Sequence, residues 1–324
     1  MFAHHLFLAA ALTLGKAEAP SDWLVGVPDG YCDATDVDFT DAKIGFATCA
    51  GGAAMTTSDG GASWHVFDTQ LQQSLVYAHV ENATQLYAAR LGMYESEDGG
   101  ATWQELGNLS ARNDDSLFEA QFFSPDEIVA LKGAEILRST DGGSSWQLAY
   151  SEPSDVYFNQ LKRGPRTNTV YASGGITHDF GSFGFVARSI DRGATWTLLT
   201  FPYAQITAAD FVDDVNGLVA TGNAFYATSD GGMSWLAVGT LSPGEYVLDI
   251  AHGSLEHWFA GTLGGCVYET TDSGKTWNSA YCDGRGRSIS ALYSSRSLPV
   301  VAVGNDGLVV AYKGIFQDGF ESGK

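Results

Sequence analysis

The sequence predicts an all-β fold, a seven-bladed β-propeller with four antiparallel strands per blade. Three observations carry that reading. One phrase of eight residues occurs six times, its copies stand about one blade apart, and the two chain ends supply strands for a further blade that lacks the phrase. The copies are Thr57-Ser-Asp-Gly-Gly-Ala-Ser-Trp64, Ser96-Glu-Asp-Gly-Gly-Ala-Thr-Trp103, Ser139-Thr-Asp-Gly-Gly-Ser-Ser-Trp146, Ser189-Ile-Asp-Arg-Gly-Ala-Thr-Trp196, Thr228-Ser-Asp-Gly-Gly-Met-Ser-Trp235 and Thr270-Thr-Asp-Ser-Gly-Lys-Thr-Trp277. Their aspartates (Asp59, Asp98, Asp141, Asp191, Asp230, Asp272) are spaced from 39 residues (Asp59 to Asp98) to 50 (Asp141 to Asp191). Self-similarity at that period marks a repeat architecture.

Each unit reads in the same order. A short apolar strand comes first, as in Asp36-Val-Asp-Phe39 and Val247-Leu-Asp-Ile250. A second strand ends in small residues, as in Ile44-Gly-Phe-Ala-Thr48 and Gly217-Leu-Val-Ala-Thr221, and a third runs into the phrase, as in Glu135-Ile-Leu-Arg-Ser139. The fourth begins at the Trp of the phrase. Four short strands per period with turn chemistry between them is the composition of a propeller blade. The phrase is then the turn between strands three and four. Its Asp accepts backbone N–H groups, its glycines supply positive φ, and its Trp (Trp64, Trp103, Trp146, Trp196, Trp235, Trp277) buries an indole between blades. One carboxylate per turn is too few for calcium, so no metal and no cofactor is expected.

The seventh blade is composite. Ser288-Ile-Ser-Ala-Leu-Tyr293, Leu298-Pro-Val-Val-Ala-Val303 and Gly307-Leu-Val-Val-Ala-Tyr312 give three strands, and Asp22-Trp-Leu-Val-Gly-Val27 gives the fourth. An N-terminal strand joining the C-terminal blade closes the ring and removes its open edges. The propeller is expected over residues 20–314, after a secretory signal at 1–19 and before a tail at 315–324. The signal reading rests on the apolar run Leu6 to Leu14 and on Ala17-Glu-Ala19, with cleavage after Ala19 or after Ala17.

A net charge of −21, from 38 acidic and 17 basic residues, argues against nucleic acid and anionic membrane as partners. The apolar run near the start is too short to span a bilayer, and no other segment is long and apolar enough to insert. A secreted or periplasmic, monomeric protein is expected. The four cysteines fit export. A turn near Ser273–Gly274 puts Cys266 opposite Cys282, and a turn near Thr40–Asp41 puts Cys32 opposite Cys49. Two disulfides follow, four buried thiols being the alternative.

The repeated phrase resembles the Asp-box (BNR) repeat of sialidase-type and sortilin-type propellers. Its longer context, Val37-Asp-Phe-Thr-Asp-Ala-Lys-Ile-Gly-Phe-Ala followed by Gly51-Gly, and Val301-Ala-Val-Gly-Asn-Asp-Gly-Leu, resembles the photosystem II assembly-factor (Ycf48/Hcf136-like) family. That resemblance covers roughly residues 21–312 and implies a non-enzymatic seven-bladed propeller.

Function is sought on the face away from the repeated turns, where the copies stop agreeing. The long segment Ser173 to Gly184 falls there, with His178, Asp179, Phe180 and Phe183, as do Arg90, Arg285 and Arg287. Loops on a rigid scaffold are where binding residues concentrate. The first reading is an exported, non-enzymatic module that binds a protein or glycan with that face, and it expects no buried pair of carboxylates. The alternatives are a sialidase-like glycoside hydrolase at the channel mouth and an assembly factor for an envelope complex. The hydrolase needs two carboxylates of separated pKa or three converging arginines, and the chain lacks the Arg-Ile-Pro segment of sialidases.

Overall fold

A computed structural model describes residues 23–109, 116–151, 156–164, 167–178, 181–295 and 298–312. The segments 1–19 and 315–324, and with them the signal and tail readings, lie outside the described residues, as do Asp179 and Phe180.

Seven antiparallel sheets follow one another around a ring. Blade one comprises Ala34–Phe39, Gly45–Cys49, Ala53–Thr57 and Ser63–Asp68. The same four-strand order recurs in blades two to six, whose first strands are Tyr77–Val80, Leu117–Phe122, Val156–Arg163, Ala208–Phe211 and Val247–His252. Blade seven is Ile289–Ser295, Leu298–Gly304 and Val309–Tyr312, completed by Trp23–Val25 in the register Trp23↔Tyr312. The first strands neighbour one another around the axis and line a central channel.

The second strands are buried on both faces, because a blade lies on either side. At one equivalent position six of the seven second strands carry alanine (Ala47, Ala88, Ala130, Ala172, Ala260 and Ala302) and blade five carries Val219, and all seven residues are 0% exposed. Blades converge toward the axis, and only a small side chain fits between two sheets there. The core is accordingly not one cluster but seven, each shared by two adjacent blades, and the last of them joins blade seven to blade one.

The repeated turn has one geometry throughout. In blade one, Asp59 Oδ1 accepts the Ser63 N–H at 2.9 Å and the Thr57 hydroxyl at 2.8 Å, while Oδ2 accepts the Ser63 hydroxyl at 2.6 Å. Trp64 Nε1 donates to Gly61 O at 3.1 Å. The indole then inserts between its own blade and the preceding one. Trp146 is the exception, since its Nε1 has no acceptor. The hydroxyl and N–H donors of Thr102 and Thr276 hold Asp98 and Asp272 down at about 2, so these carboxylates stay ionised. The fourth residue of every copy also donates to the turn between strands one and two of its blade, as Gly60 N to Lys43 O at 3.0 Å and Gly231 N to Val215 O at 2.9 Å. Both sets of turns therefore crowd one end of the ring, the turn end; the other is the loop end.

One glycine of that turn is irreplaceable for two reasons. Gly193 has φ +76°, and a Cβ there would stand 2.4 Å from Val129 Cγ2 of blade three. Gly193→Ala is expected to cost about 2–4 kcal/mol, adding overpacking to left-handed strain. Gly244→Ala, at φ +100° with nothing within 4 Å, isolates the strain. Urea midpoints check this, and equal losses in the two variants would remove the steric part.

Two sequence expectations need correction. The N-terminal segment does not run unbroken through blade seven. It bends at Gly26, where a Cβ would meet Gly61 O at 2.7 Å, and Val27–Pro28 then pair in parallel with Ser63 and Trp64 at the edge of blade one. Cys32 also does not stand opposite Cys49. Ala34 does, because the turn centres on Ala42 and the strand bulges between Ala34 and Asp36. Cys32 lies beyond the strand end and reaches Cys49 across a Cα–Cα distance of 5.4 Å. Cys266 and Cys282 are direct partners, with Cα atoms 4.0 Å apart. Two disulfides fit an oxidising compartment, extracellular or periplasmic.

Candidate functional site

The loop end gathers the turns between strands two and three and the links between blades. Five large apolar side chains are exposed there: Tyr31 (68%), Leu91 (38%), Phe183 (51%), Tyr246 (42%) and Leu263 (58%). Both disulfides stiffen the same end. Tyr31 precedes Cys32, and its hydroxyl donates to Asp33 at 2.9 Å. Asp33 Oδ1 also accepts the Asp306 N–H at 2.7 Å. Arg287 reaches the same corner, with Nη1 on Asp306 O at 3.2 Å and Nη2 on Asp283 Oδ1 at 2.8 Å. This chain of contacts ties blades six, seven and one together across the seam where the chain ends meet.

The sequence-named residues do not assemble into one constellation. Arg287 is committed to Asp283, whose Oδ2 accepts the backbone N–H of Arg285 and of Arg287. Arg90 sits in the strand-two-to-three turn of blade two, where its N–H donates to Gly92 O at 3.0 Å. In blade four, His178 pairs with Gly181 at the tip of the hairpin, and Phe183 with Ile176 below it. No convergence of three arginines appears among the described residues.

What sequence reasoning missed is the channel. A cavity of about 470 Å³ opens at the turn end and another of about 160 Å³ faces the loop end, and Asp36, Glu119 and Lys162 line both. Lys162 Nζ pairs with Glu119 Oε1 at 2.7 Å. The other channel carboxylates bind backbone. Asp36 Oδ1 accepts the N–H of Val37 at 2.9 Å, and its Oδ2 accepts that of Ala78, in the next blade, at 2.8 Å. Asp38 does the same with Phe39 and Val80, Asp210 with Phe211 and His252, and Asp249 with Ile250 and Leu292. Glu119 accepts the N–H of Leu161. These acids clasp the inner strands of blades one, three, five and six to the inner strand of the next blade, satisfying N–H groups that no ladder reaches. The sequence signal was present in Val37-Asp-Phe39, Ala209-Asp-Phe211 and Leu248-Asp-Ile250.

Burial pushes Asp36 up to about 8 and raises Glu119 and Asp249, with the Lys162 charge opposing all three shifts. Burial alone would lower Lys162, but Glu119, Asp249 and Asp210 outweigh it and raise it. The Lys162 and Glu119 side chains keep 23% and 12% of their surface open to the channel, so water still screens the cluster. Nearer the turn end, His79 stacks on Phe122 at 4.3 Å, and Nδ1 lies 2.7 Å from Asp38 Oδ2. Burial would lower it, yet hydrogen bonds to Asp38 and Glu81 raise it to about 9 and keep it charged. The expectation of no buried carboxylate pair is therefore overturned. The acids found have both oxygens engaged, however, as structural ties do. Among the described residues no group of three or more His, Cys, Asp or Glu side chains is placed to hold a metal, and no helix is long and apolar enough to cross a membrane.

No protein-family model and no curated protein matches the sequence. Solved structures do match in shape. The chain resembles YCF48 bound to D1 peptide (18% identity, TM-score 0.70, covering 92% of this chain and 99% of that one). It resembles YCF48 from Cyanidioschyzon merolae (17%, TM-score 0.72, 90% and 98%) and virginiamycin B lyase from Staphylococcus aureus (10%, TM-score 0.73, 90% and 100%). At these identities the likeness shows the fold: a seven-bladed β-propeller.

Proposed function

We propose that the protein is an exported, non-enzymatic scaffold that uses its loop end to hold a partner, a protein or a glycan, in the manner of an assembly factor. The observation that carries this reading is the set of five exposed apolar side chains on an end braced by two disulfides. Rigid, solvent-facing aromatic anchors such as Tyr31 and Phe183 are what binding surfaces use. A propeller of similar shape has been solved with a peptide, YCF48 with D1 peptide, which supports a protein partner. The hydrolase reading keeps one point in its favour, a carboxyl at Asp36 that is protonated near neutrality. Among the described residues, the carboxylates that line the smaller channel cavity with it, Glu119 and Asp249, have both oxygens engaged.

Site-specific photocrosslinking tests the proposal. Benzoylphenylalanine at Tyr31, in cells of the source organism, is expected to give a discrete adduct that the same group at Leu148, on the outer edge of blade three, does not. Identical adducts from both positions would refute the loop end as the docking surface. A glycan array separates the two ligand classes.

A further inference from the structure

The six turn copies differ in one place in a way the fold does not require. The residue two before the Trp is Ala62, Ala101, Ser144, Ala194, Met233 or Lys275, and the residue just after it is His65, Gln104, Gln147, Thr197, Leu236 or Asn278. Blade five alone is apolar at both, and both side chains face solvent: Met233 is 66% exposed and Leu236 70%. Around them at the turn end stand Val215 (40%) and Leu255 (49%), from the strand-one-to-two turns of blades five and six. Leu236 and Leu255 line a groove of about 230 Å³ between the two blades together with Leu218 and Trp258, and Val215 adjoins its lining residue Asn216 in the chain. The corresponding groove between blades one and two, about 270 Å³, has Ser63 and His65 at its edge instead. Solvent-facing apolar side chains gathered at one groove, as Leu236 and Leu255 are, mark an interaction site.

The rim says what kind of partner fits. Acidic residues adjoin the lining residues in the chain: Asp213 and Asp214 before Val215 and Asn216, Asp230 after Ser229, Glu256 after Leu255, and Asp272 before Ser273. Hydroxyl and N–H donors hold Asp230 and Asp272 low, so both stay charged. Against these stand Arg188, whose Nη2 already donates to Asp214 O at 3.3 Å, and Lys275. A second copy of the chain, itself at −21, would bring like charge to this rim. We propose that the groove between blades five and six docks a protein segment that presents one large apolar side chain between basic residues. This site lies on the face opposite the loop end and stands independently of the function proposed above.

The test uses three fluorescent decapeptides: one with phenylalanine between pairs of lysines, one with serine in place of the phenylalanine, and one with glutamates in place of the lysines. Anisotropy is expected to show binding of the first only, weakened by salt because exposed charges are screened. Leu236→Ser is expected to weaken it about tenfold or more, since a buried apolar contact of this size is worth on that order. Because Leu236 is exposed, its thermal midpoint should barely move, and Leu255→Ser gives a second reading of the same groove. Equal binding by the serine peptide, or undiminished binding to both variants, overturns the proposal. A concentration-dependent dimer in sedimentation that Leu236→Ser abolishes also overturns it, in favour of self-association.

Discussion

Trp64→Ala is expected to destabilise the protein by about 3–5 kcal/mol, the usual loss for removing a fully buried large aromatic. Trp64 is 2% exposed, makes an edge contact with Phe39 at 5.8 Å, and shares its cluster with Val301, Val303 and Val309 of blade seven. Its position raises the stakes. It plugs the seam at which the two chain ends meet, so the cavity it leaves weakens ring closure as well as one interface. Trp146→Ala should cost less, because that indole is only partly buried and its Nε1 has no partner to lose. Trp64→Phe separates the ring from the hydrogen bond to Gly61 O and should cost about 1 kcal/mol for the bond plus the volume difference. Urea denaturation of the three variants measures this. A Trp64→Ala loss below that of Trp146→Ala would show that the seam carries no special share of the stability.

The blade count and ring closure could be read from the sequence because both rest on local signals. A turn of fixed chemistry repeats, and Trp23 opens a strand as Trp64 does. The break at Gly26 could not be read, since the groups that leave room only for glycine there, Gly61 O and the Val309 side chain, are not near it in the chain. The clasping acids were hidden for the same reason. Asp36 and Asp249 lie in quoted strands, but their partners, Ala78 and Leu292, are 42 and 43 residues away in the next blade. A single carboxylate in a strand announces no such partner; only the recurrence of Asp between apolar residues in Val37-Asp-Phe39, Ala209-Asp-Phe211 and Leu248-Asp-Ile250 hints at it. The apolar corner of blade five was legible in principle: aligning the six copies isolates Met233 and Leu236. Asp179 and Phe180 fall outside the described residues, and Arg287, named as a ligand contact, is instead locked into a network with Asp283 and Asp306.

Lys162→Met is expected to be the second most damaging change, at about 3 kcal/mol near pH 7. Removing one partner of a buried ion pair costs about 3–5 kcal/mol, and the channel water that reaches 23% of the Lys162 side chain places this case at the low end. The cost is electrostatic rather than steric, since methionine has similar length and is apolar. It leaves Glu119, Asp36 and Asp249 without the charge that holds their pKa values down. The sign of the pH dependence follows. Each of these carboxyls has a folded pKa above its unfolded one, so the folded state binds protons more readily than the unfolded state. Their contribution is complete below about pH 4 and is lost as pH rises through the folded values, which for Asp36 is about 8. In the variant those folded values rise further. Its deficit against wild type should therefore shrink as pH falls from 8 to 5, as the unpaired Glu119 and Asp249 take up protons inside the folded ring, while Asp36, already largely protonated in both proteins, adds little to the change. Thermal midpoints of both proteins across that range measure it. A deficit that does not change with pH would mean that Lys162 acts through its packing against the channel wall, and that the acids around it are already neutral.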